Sequence, residues 1–478
     1  MPERSTHPES RPRGGSRGLE LLVGSALCAF LFVVYISSPA GKLWDSQFAL
    51  LTSEAILEGE GFDLSRFLAG TAWEGPTEND PAVTMPWQLE RVQGRLLYVF
   101  PPGTSVLSLP LVAALRAGGV STLDGAYQYS RSRERRMQLL AASFLSALTA
   151  VVALRLARRE VALLPALAIA LLAGLGSSLW TVASRELWSH TWSALLLGAG
   201  WLELLRWEEQ GRKRPWLLGA IASAAFWVRP SNAWIALAWT VFVALRHRSQ
   251  TLRMMVSGAF GLAAYCAWSL TYSGGLLPTY IGMNRPWSAR TFLPGLAESL
   301  FSTHHGLLVY SPILLAVAYV LLRHGVPESR RPLAVLGSVL LLGHLGLHAA
   351  AGAVWGPDGP RLQHDLVPLL AWFGALALRR LGELDALGAP GTPPERLEAP
   401  RRKFRPGSAL LTASLATASI LASIGSVHVE RQTMWHYRAR LEASYPKWDP
   451  RRLPQYLGLR ALAGADFTPP KRPHKKRR

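Results

Sequence analysis

The chain of 478 residues contains only two cysteines, and acidic residues are scarce, since 31 Asp and Glu stand against 51 Lys and Arg. Cys28 and Cys266 both lie inside apolar runs, which excludes a disulfide framework and a cysteine metal site. The sequence also lacks a Gly-rich phosphate loop after a strand pattern, a His-Glu-x-x-His zinc motif and a Gly-x-Ser-x-Gly nucleophile elbow. The common nucleotide-binding, zinc-protease and serine-hydrolase classes are therefore not indicated.

Long runs of Leu, Ala and Val recur from end to end, and many of the 18 tryptophans flank them, as in the aromatic belts of membrane proteins. This pattern predicts an all-α integral membrane protein with about eleven transmembrane helices. The first run, Leu19 to Ile36, is long enough to span and has no clear small-residue cleavage site, so we interpret it as a retained helix. The other predicted spans are Met137 to Leu156, Val161 to Trp180, Ser189 to Leu205, Trp216 to Val228, Ala233 to Leu245, Met254 to Tyr272, Leu307 to Leu322, Pro332 to Ala349, Leu366 to Leu378 and Ala409 to Val427.

One apolar run, Gly103 to Leu115, is shorter than the roughly 20 residues that a crossing helix needs. We interpret it as a re-entrant or interfacial segment. The alternative is a short tilted span, which would move the Arg-rich patch at 131 to 136 to the cytoplasm.

Basic residues concentrate in the short loops of one side, which the positive-inside rule assigns to the cytoplasm. The same topology places the basic C-terminal tail outside, against the rule, and one mistaken span would reverse this. The tail lacks interleaved aromatic residues, so we expect a solvated or headgroup-binding extension and no nucleic-acid partner. The predicted segments are a cytoplasmic tail (1–18), a multi-span transmembrane core (19–380) with a long extracytoplasmic first loop (37–136), a flexible cytoplasmic loop (381–408), a last transmembrane helix (409–427) and a polar basic extension (428–478).

An acidic residue, Asp45, follows the first apolar run by a few residues, and a carboxylate there would lie close to the bilayer surface. In a helix, Phe48, Leu51 and Ala55 would share one face, as suits a segment in the interface. The alternative is a lone acid in a connecting loop. If Asp45 is a functional residue, a carboxylate at this depth could react with a membrane-bound substrate.

The predicted outside loops collect most of the other conspicuous polar residues, which indicates one external site. Arginines suit phosphate oxygens, so the four arginines of these loops could hold a lipid phosphate, although each alone could equally set topology or snorkel. Asp45 is the candidate general base. The candidate substrate-binding residues are Arg136, Arg185, Glu186, His190, Arg229, His304, Asp358 and Arg361.

Two further histidines, His344 and His348, share one helix face, and without an accompanying Glu we interpret them as packing residues rather than metal ligands. We therefore predict no protein-bound metal site and no certain cofactor, with a divalent cation left open.

The order of these motifs resembles the GT-C membrane glycosyltransferases, in particular bacterial relatives of the protein O-mannosyltransferases and of the aminoarabinose transferase of lipid A. Asp45 stands where that family has a first-loop acid, but Ser46 replaces the second acid of the usual pair. Phe100-Pro101-Pro102 stands where a Lys-Pro-Pro is frequent, Arg229-Pro230 lies between short helices, and Asp358-Gly359-Pro360-Arg361-Leu362 resembles a late-loop Gly-Pro-Arg motif.

This resemblance, over roughly residues 19 to 380, implies an all-helical fold with interfacial or re-entrant helices in the first loop. It implies a polyprenyl-phosphate-sugar donor, a lipid, polysaccharide or protein acceptor, contact with membrane lipids, and an extracytoplasmic active site in a bacterial inner or plasma membrane. A transporter or flippase for an amphiphilic substrate is the competing interpretation; it predicts charges in mid-helix and a repeat, neither of which is evident in the sequence.

Overall fold

A computed structural model describes most of the first 427 residues. The description covers 15–38, 43–75, 84–211, 213–276, 289–302, 306–350, 361–387 and 406–427. Most of these residues are helical, and the strands among them form one two-stranded hairpin. The predicted all-α class is confirmed.

Most of the long helices overlap the predicted apolar runs. In the described part of the chain, four helices are long and apolar enough to cross a membrane: Gly18–Ile36, Arg131–Ala157, Arg248–Tyr272 and Glu328–Ala350. The long helices are α1 (Gly15–Ile36), α6 (Arg131–Ala157), α7 (Leu163–Leu175), α8 (Ser189–Gln210), α9 (Pro215–Val228), α10 (Ala233–Arg246), α11 (Arg248–Tyr272), α12 (Ala289–Phe301), α14 (Ile313–His324), α15 (Arg331–Ala350), α16 (Val367–Leu387) and α17 (Pro406–Val427).

The first loop contains short elements rather than a span. They are α2 (Ala49–Leu57), α3 (Ser65–Leu68), β1 (Leu89–Val92), β2 (Arg95–Tyr98), α4 (Gly103–Leu107) and α5 (Leu109–Ala117). The strands pair antiparallel, from Leu89 opposite Tyr98 to Val92 opposite Arg95. Gln93 and Gly94 form the turn, both with positive φ, as a two-residue hairpin requires.

Two features of this architecture were not predicted. The hairpin is one, since only helices were expected in the first loop. Helix α12 is the other, because Pro294 inside it interrupts the apolar pattern. The predicted span Leu307 to Leu322 is also divided, since a short helix α13 (Leu307–Tyr310) ends before Pro312.

Glycines allow close helix approach in the bundle. A Cβ added to Gly219 of α9 would lie 2.3 Å from the carbonyl oxygen of Met254 in α11. A Cβ on Gly103, at the start of α4, would lie 2.3 Å from the backbone carbon of Trp227 in α9. Small residues at such contacts are typical of helix packing in membranes. Gly103 therefore lets the first loop pack directly against the end of α9, next to Arg229. We call this contact between Gly103 and Trp227 the seat of the first loop.

The end of the bundle away from the first loop is tied by ion pairs, which we call the far-end network. The Glu160 side chain is fully buried and accepts hydrogen bonds from Arg379 Nη1 at 2.9 Å and from Trp372 Nε1 at 3.0 Å. Arg330 pairs with Glu160 at 2.9 Å and with Glu209 at 2.5 Å. Arg159 pairs with Glu209 as well, also at 2.5 Å. The network joins four parts of the bundle: the α6–α7 turn, the end of α8, the residues just before α15, and α16.

Candidate active site

The turn that carries Asp45 connects α1 to α2, and its backbone is held by Glu186. This carboxylate follows a π-helical turn (Leu179–Ala183) and precedes α8. Its Oε1 accepts hydrogen bonds from Trp44 N at 2.5 Å, from Ser46 N at 3.2 Å and from Ser46 Oγ at 2.6 Å. Glu186 thereby fixes the residues on both sides of Asp45.

Helix α6 holds the same turn from another direction. Glu134 accepts hydrogen bonds from Phe48 N at 3.0 Å and from Leu50 N at 3.2 Å, so it serves the unpaired N–H groups at the start of α2. Gln138 Nε2 donates to Ser46 O at 2.6 Å. All of these side chains are buried. The turn is therefore positioned by more contacts than a connecting loop needs.

Phe48 adopts a left-handed conformation, with φ of 76°. This is unfavourable for a bulky residue and persists only where the surroundings compensate. The Phe48 ring packs 5.0 Å from Tyr129 and 6.0 Å from Trp73, measured between ring centroids. Packing and the Glu134 bond together hold the strained residue, three positions after Asp45.

Asp45 itself is half-buried, whereas the residues that follow it, from Ser46 to Ala55, are buried. Its backbone carbonyl accepts a hydrogen bond from Tyr98 Oη at the end of the hairpin. Gln88 Nε2 donates to the neighbouring carbonyl of Trp44 at 3.0 Å. The hairpin and the residue before it thus support the backbone of Trp44 and Asp45 as well.

Asp45 and Glu186 are close enough to interact electrostatically. Burial raises the pKa of Glu186, and the charge of Asp45 raises it further. Within the described part of the chain, Glu186 Oε2 is buried without a hydrogen-bond partner. A second carboxylate therefore lies beside Asp45 although Ser46 stands at the adjacent position of the sequence.

A second group of polar residues centres on Asp365, which is fully buried. It lies in a 3-10 helix (Arg361–Leu366) just before α16. Arg229, between α9 and α10, donates from Nη1 to Asp365 Oδ2, and His190 Nδ1 lies 3.1 Å from Asp365 Oδ1. Burial opposes ionisation of Asp365, but Arg229 and His190 together hold its pKa below the usual range.

Three more histidines complete this group. His344 Nε2 lies 3.8 Å from Asp365 Oδ2, and the His344 and His348 rings pack with centroids 4.6 Å apart. His364 Nε2 lies 3.1 Å from the backbone oxygen of His190. His344 and His348 were interpreted from the sequence as packing residues; they pack against each other, but beside a buried ion pair.

The predicted site residues divide into several sets. Asp45 and Glu186 come together at the turn, and His190 and Arg229 come together at Asp365. The two sets are adjacent, because Glu186 and His190 belong to one short segment at the start of α8. His304 and Asp358 lie outside the described residues, and Arg361 begins the 3-10 helix.

The other two predicted arginines have different surroundings. Arg185 is buried and donates to the backbone oxygens of Tyr35 and Ser38, at the C-terminal end of α1, where a positive charge is favourable. Arg136 is exposed on the first turns of α6. The phosphate-binding role assigned to these two residues stays a prediction.

Sequence reasoning missed Glu134, Gln138 and Asp365. Glu134 stands within an Arg-rich patch in which only arginines were considered, for topology and, in the case of Arg136, for phosphate binding. Asp365 immediately precedes an apolar run, and His364-Asp365 at that boundary was the available signal. Among the described residues, His, Cys, Asp and Glu form no group of three or more arranged to hold a metal ion.

No protein-family model matches the sequence, and no curated protein matches it. Among solved structures, the chain is similar to ArnT from Cupriavidus metallidurans, which was crystallised with bound undecaprenyl phosphate. The sequences are 14% identical, the TM-score is 0.46, and the match covers 94% of this chain and 76% of that chain.

Proposed function

We propose that this protein is a multi-pass membrane glycosyltransferase that moves a sugar from a polyprenyl-phosphate donor to an acceptor at the extracytoplasmic face. The observation that carries the proposal is the Asp45 turn. Buried side chains from α6 and from the segment before α8 hold its backbone, while Asp45 itself is only half-buried. A catalytic residue needs such positioning of its acidic group, whereas a residue in a connecting loop does not need it.

In the proposed reaction Asp45 is the general base. The acceptor hydroxyl loses its proton to the Asp45 carboxylate while its oxygen forms a bond to the anomeric carbon of the donor. The bond from that carbon to the phosphate oxygen breaks, and the electron pair leaves with the phosphate. Attack from the face opposite the phosphate inverts the anomeric configuration.

The leaving phosphate gains negative charge, so a nearby cation stabilises the transition state. Arg229 is the candidate, because it lies next to the seat of the first loop formed by Gly103 and Trp227. Glu186 supports the turn rather than acting as the base, since its Oε1 already accepts hydrogen bonds from the backbone of Trp44 and Ser46. Glu54 is likewise occupied, by the backbone N–H and the hydroxyl of Thr122.

The test is donor turnover by purified protein. Radiolabelled polyprenyl-phosphate sugars are incubated with the protein and candidate acceptors, and release of the lipid phosphate is measured. We expect release that depends on one sugar and one acceptor class. Comparing the glycans of cells with and without the protein would identify that sugar.

A transporter or flippase is the second candidate, and the buried Asp365 group favours it. A buried ion pair beside His344 and His348 of α15 is the kind of arrangement that lines substrate or proton paths in transporters. Uptake or flipping of a lipid-linked substrate in liposomes, without turnover of any donor, would support this candidate and overturn the first.

The topology is tested separately. Reporter fusions at Glu209, in the far-end network, and at Met283, outside the described residues, should report opposite sides of the membrane. Reporters on one side would contradict an extracytoplasmic position of the Asp45 end.

A further inference from the structure

The guanidinium of Arg229 is held at one nitrogen. Its Nη1 donates to Asp365 Oδ2 and lies 2.7 Å from His190 Nδ1, the same ring nitrogen that contacts Asp365 Oδ1. With the residues that the structure describes, Nε and Nη2 form neither a hydrogen bond nor an ion pair. The Arg229 side chain is 9% exposed and that of Asp365 is 0% exposed.

These contacts leave one edge of the guanidinium without a hydrogen-bond partner among the described residues. Nε and Nη2 lie side by side in its plane, and such an edge suits two oxygens of one phosphate. An arginine side chain has many rotamers, so binding at that edge requires that the plane be fixed beforehand. Asp365 can fix it, because Asp365 is itself immobilised by burial and by His190 at 3.1 Å.

We propose that Asp365 is a positioning residue that orients Arg229 so that its Nε–Nη2 edge binds the phosphate of a lipid-linked donor. The inference rests on the proposed function. Asp365 does not touch the substrate and acts through Arg229. Its negative charge alone would disfavour a nearby phosphate, so a positioning role and a purely electrostatic role predict opposite effects when it is removed.

The experiment measures the affinity of full-length protein in detergent for undecaprenyl phosphate. Asp365→Ala removes the acceptor for Nη1 and should weaken binding about tenfold, as expected for losing one oriented, charge-assisted interaction. Asp365→Asn keeps an acceptor oxygen and should bind within about threefold of wild type. Tighter binding by both variants would show an electrostatic role and overturn the proposal.

A double-mutant cycle with Arg229→Gln separates positioning from general damage. Asp365→Ala should cause no further loss of affinity in the Arg229→Gln background, because the residue through which it acts is already gone. An equal loss in both backgrounds would show that Asp365 merely maintains the fold. Monodispersity and thermal unfolding of each variant are recorded alongside.

A donor-independent measurement distinguishes this inference from the proposed function. If wild-type protein binds no polyprenyl phosphate, the proposed function fails. The positioning of Arg229 by Asp365 can still be measured, by the rate at which phenylglyoxal modifies Arg229. This reagent attacks the terminal guanidinium nitrogens. Peptide mass spectrometry should show Arg229 modified several-fold faster in Asp365→Ala than in wild type or Asp365→Asn. The exposed Arg136 serves as the internal control, with one rate in all three. One common rate for Arg229 would overturn the positioning role.

Discussion

The two ends of the bundle place their acidic side chains in different surroundings. In the far-end network, Glu160 and Glu209 each face arginines directly, with Arg330 shared between them. At the Asp45 end, Glu134 and Glu186 instead accept hydrogen bonds from the backbone of a turn. One end compensates charge with charge and joins helices. The other end positions a turn in which Asp45 is only half-buried, and we propose that this difference separates a structural from a catalytic use of acidic residues.

The largest expected effect is at Asp45. Asp45→Asn keeps the size and most hydrogen bonding of the side chain but removes the proton acceptor, so transfer should fall about 10²- to 10⁴-fold while donor affinity is kept. The measurement is turnover and donor affinity of purified, monodisperse protein. Lower yield with normal turnover per folded molecule would mean that Asp45 only anchors the first loop, as the connecting-loop alternative requires.

A change in the far-end network should have the opposite signature. Glu160→Gln leaves Arg330 and Arg379 without their buried counter-charge, and removing one partner of such a pair costs about 3 kcal/mol of unfolding free energy. Turnover per folded molecule should not change. The matched control is Glu328→Gln, which breaks only an exposed pair with Arg331 and should leave stability unchanged. A turnover defect in Glu160→Gln would contradict the division between the two ends.

The seat of the first loop gives an intermediate effect. In Gly103→Ala the new methyl group meets the α9 backbone at Trp227, and relieving such an overlap costs about 1–3 kcal/mol. Because the overlap displaces α4 from the end of α9, turnover should fall as well. Gly125→Ala is the control, since nothing lies within 4 Å of the added carbon. Equal behaviour of the two variants in thermal unfolding and turnover would remove Gly103 from the account.

The smallest effect is a pH dependence that Glu186 adds. Burial and Asp45 raise the pKa of folded Glu186 above its ordinary value of 4.5, so the folded protein holds this proton more tightly than the unfolded chain. Its stabilising contribution is therefore present below about pH 4.5 and is lost as pH rises through the raised pKa. Glu186→Gln should flatten this part of the unfolding-temperature profile. An unchanged profile would show that Glu186 is not held protonated more tightly on folding.

Much of the fold was predictable because apolar runs of helical length are a strong signal. The break at Arg229-Pro230 was predicted from proline chemistry and is observed between α9 and α10. The hairpin at Leu89–Tyr98 was missed because Gln-Gly is a weaker turn signal than Asn-Gly, and its strands are only four residues long.

The site was predictable only in part, for a physical reason. Asp45, Glu186, His190 and Arg229 stand out as polar residues at the ends of apolar runs. Their partners do not, because pairing depends on which helix ends meet: Asp365 is 136 positions from Arg229 in the sequence. Local sequence carries no record of such contacts, so the grouping into an Asp45 turn and an Asp365 cluster required the tertiary structure.

The most direct measurement of the central claim is an experimental structure of the protein with a bound polyprenyl phosphate. The account predicts the phosphate at the Asp45 end, within hydrogen-bond distance of Arg229 Nε and Nη2, with the sugar site between the phosphate and Asp45. A phosphate bound instead by Arg330 and Arg379 of the far-end network, or one at the Asp45 end without contact to Arg229, would contradict it.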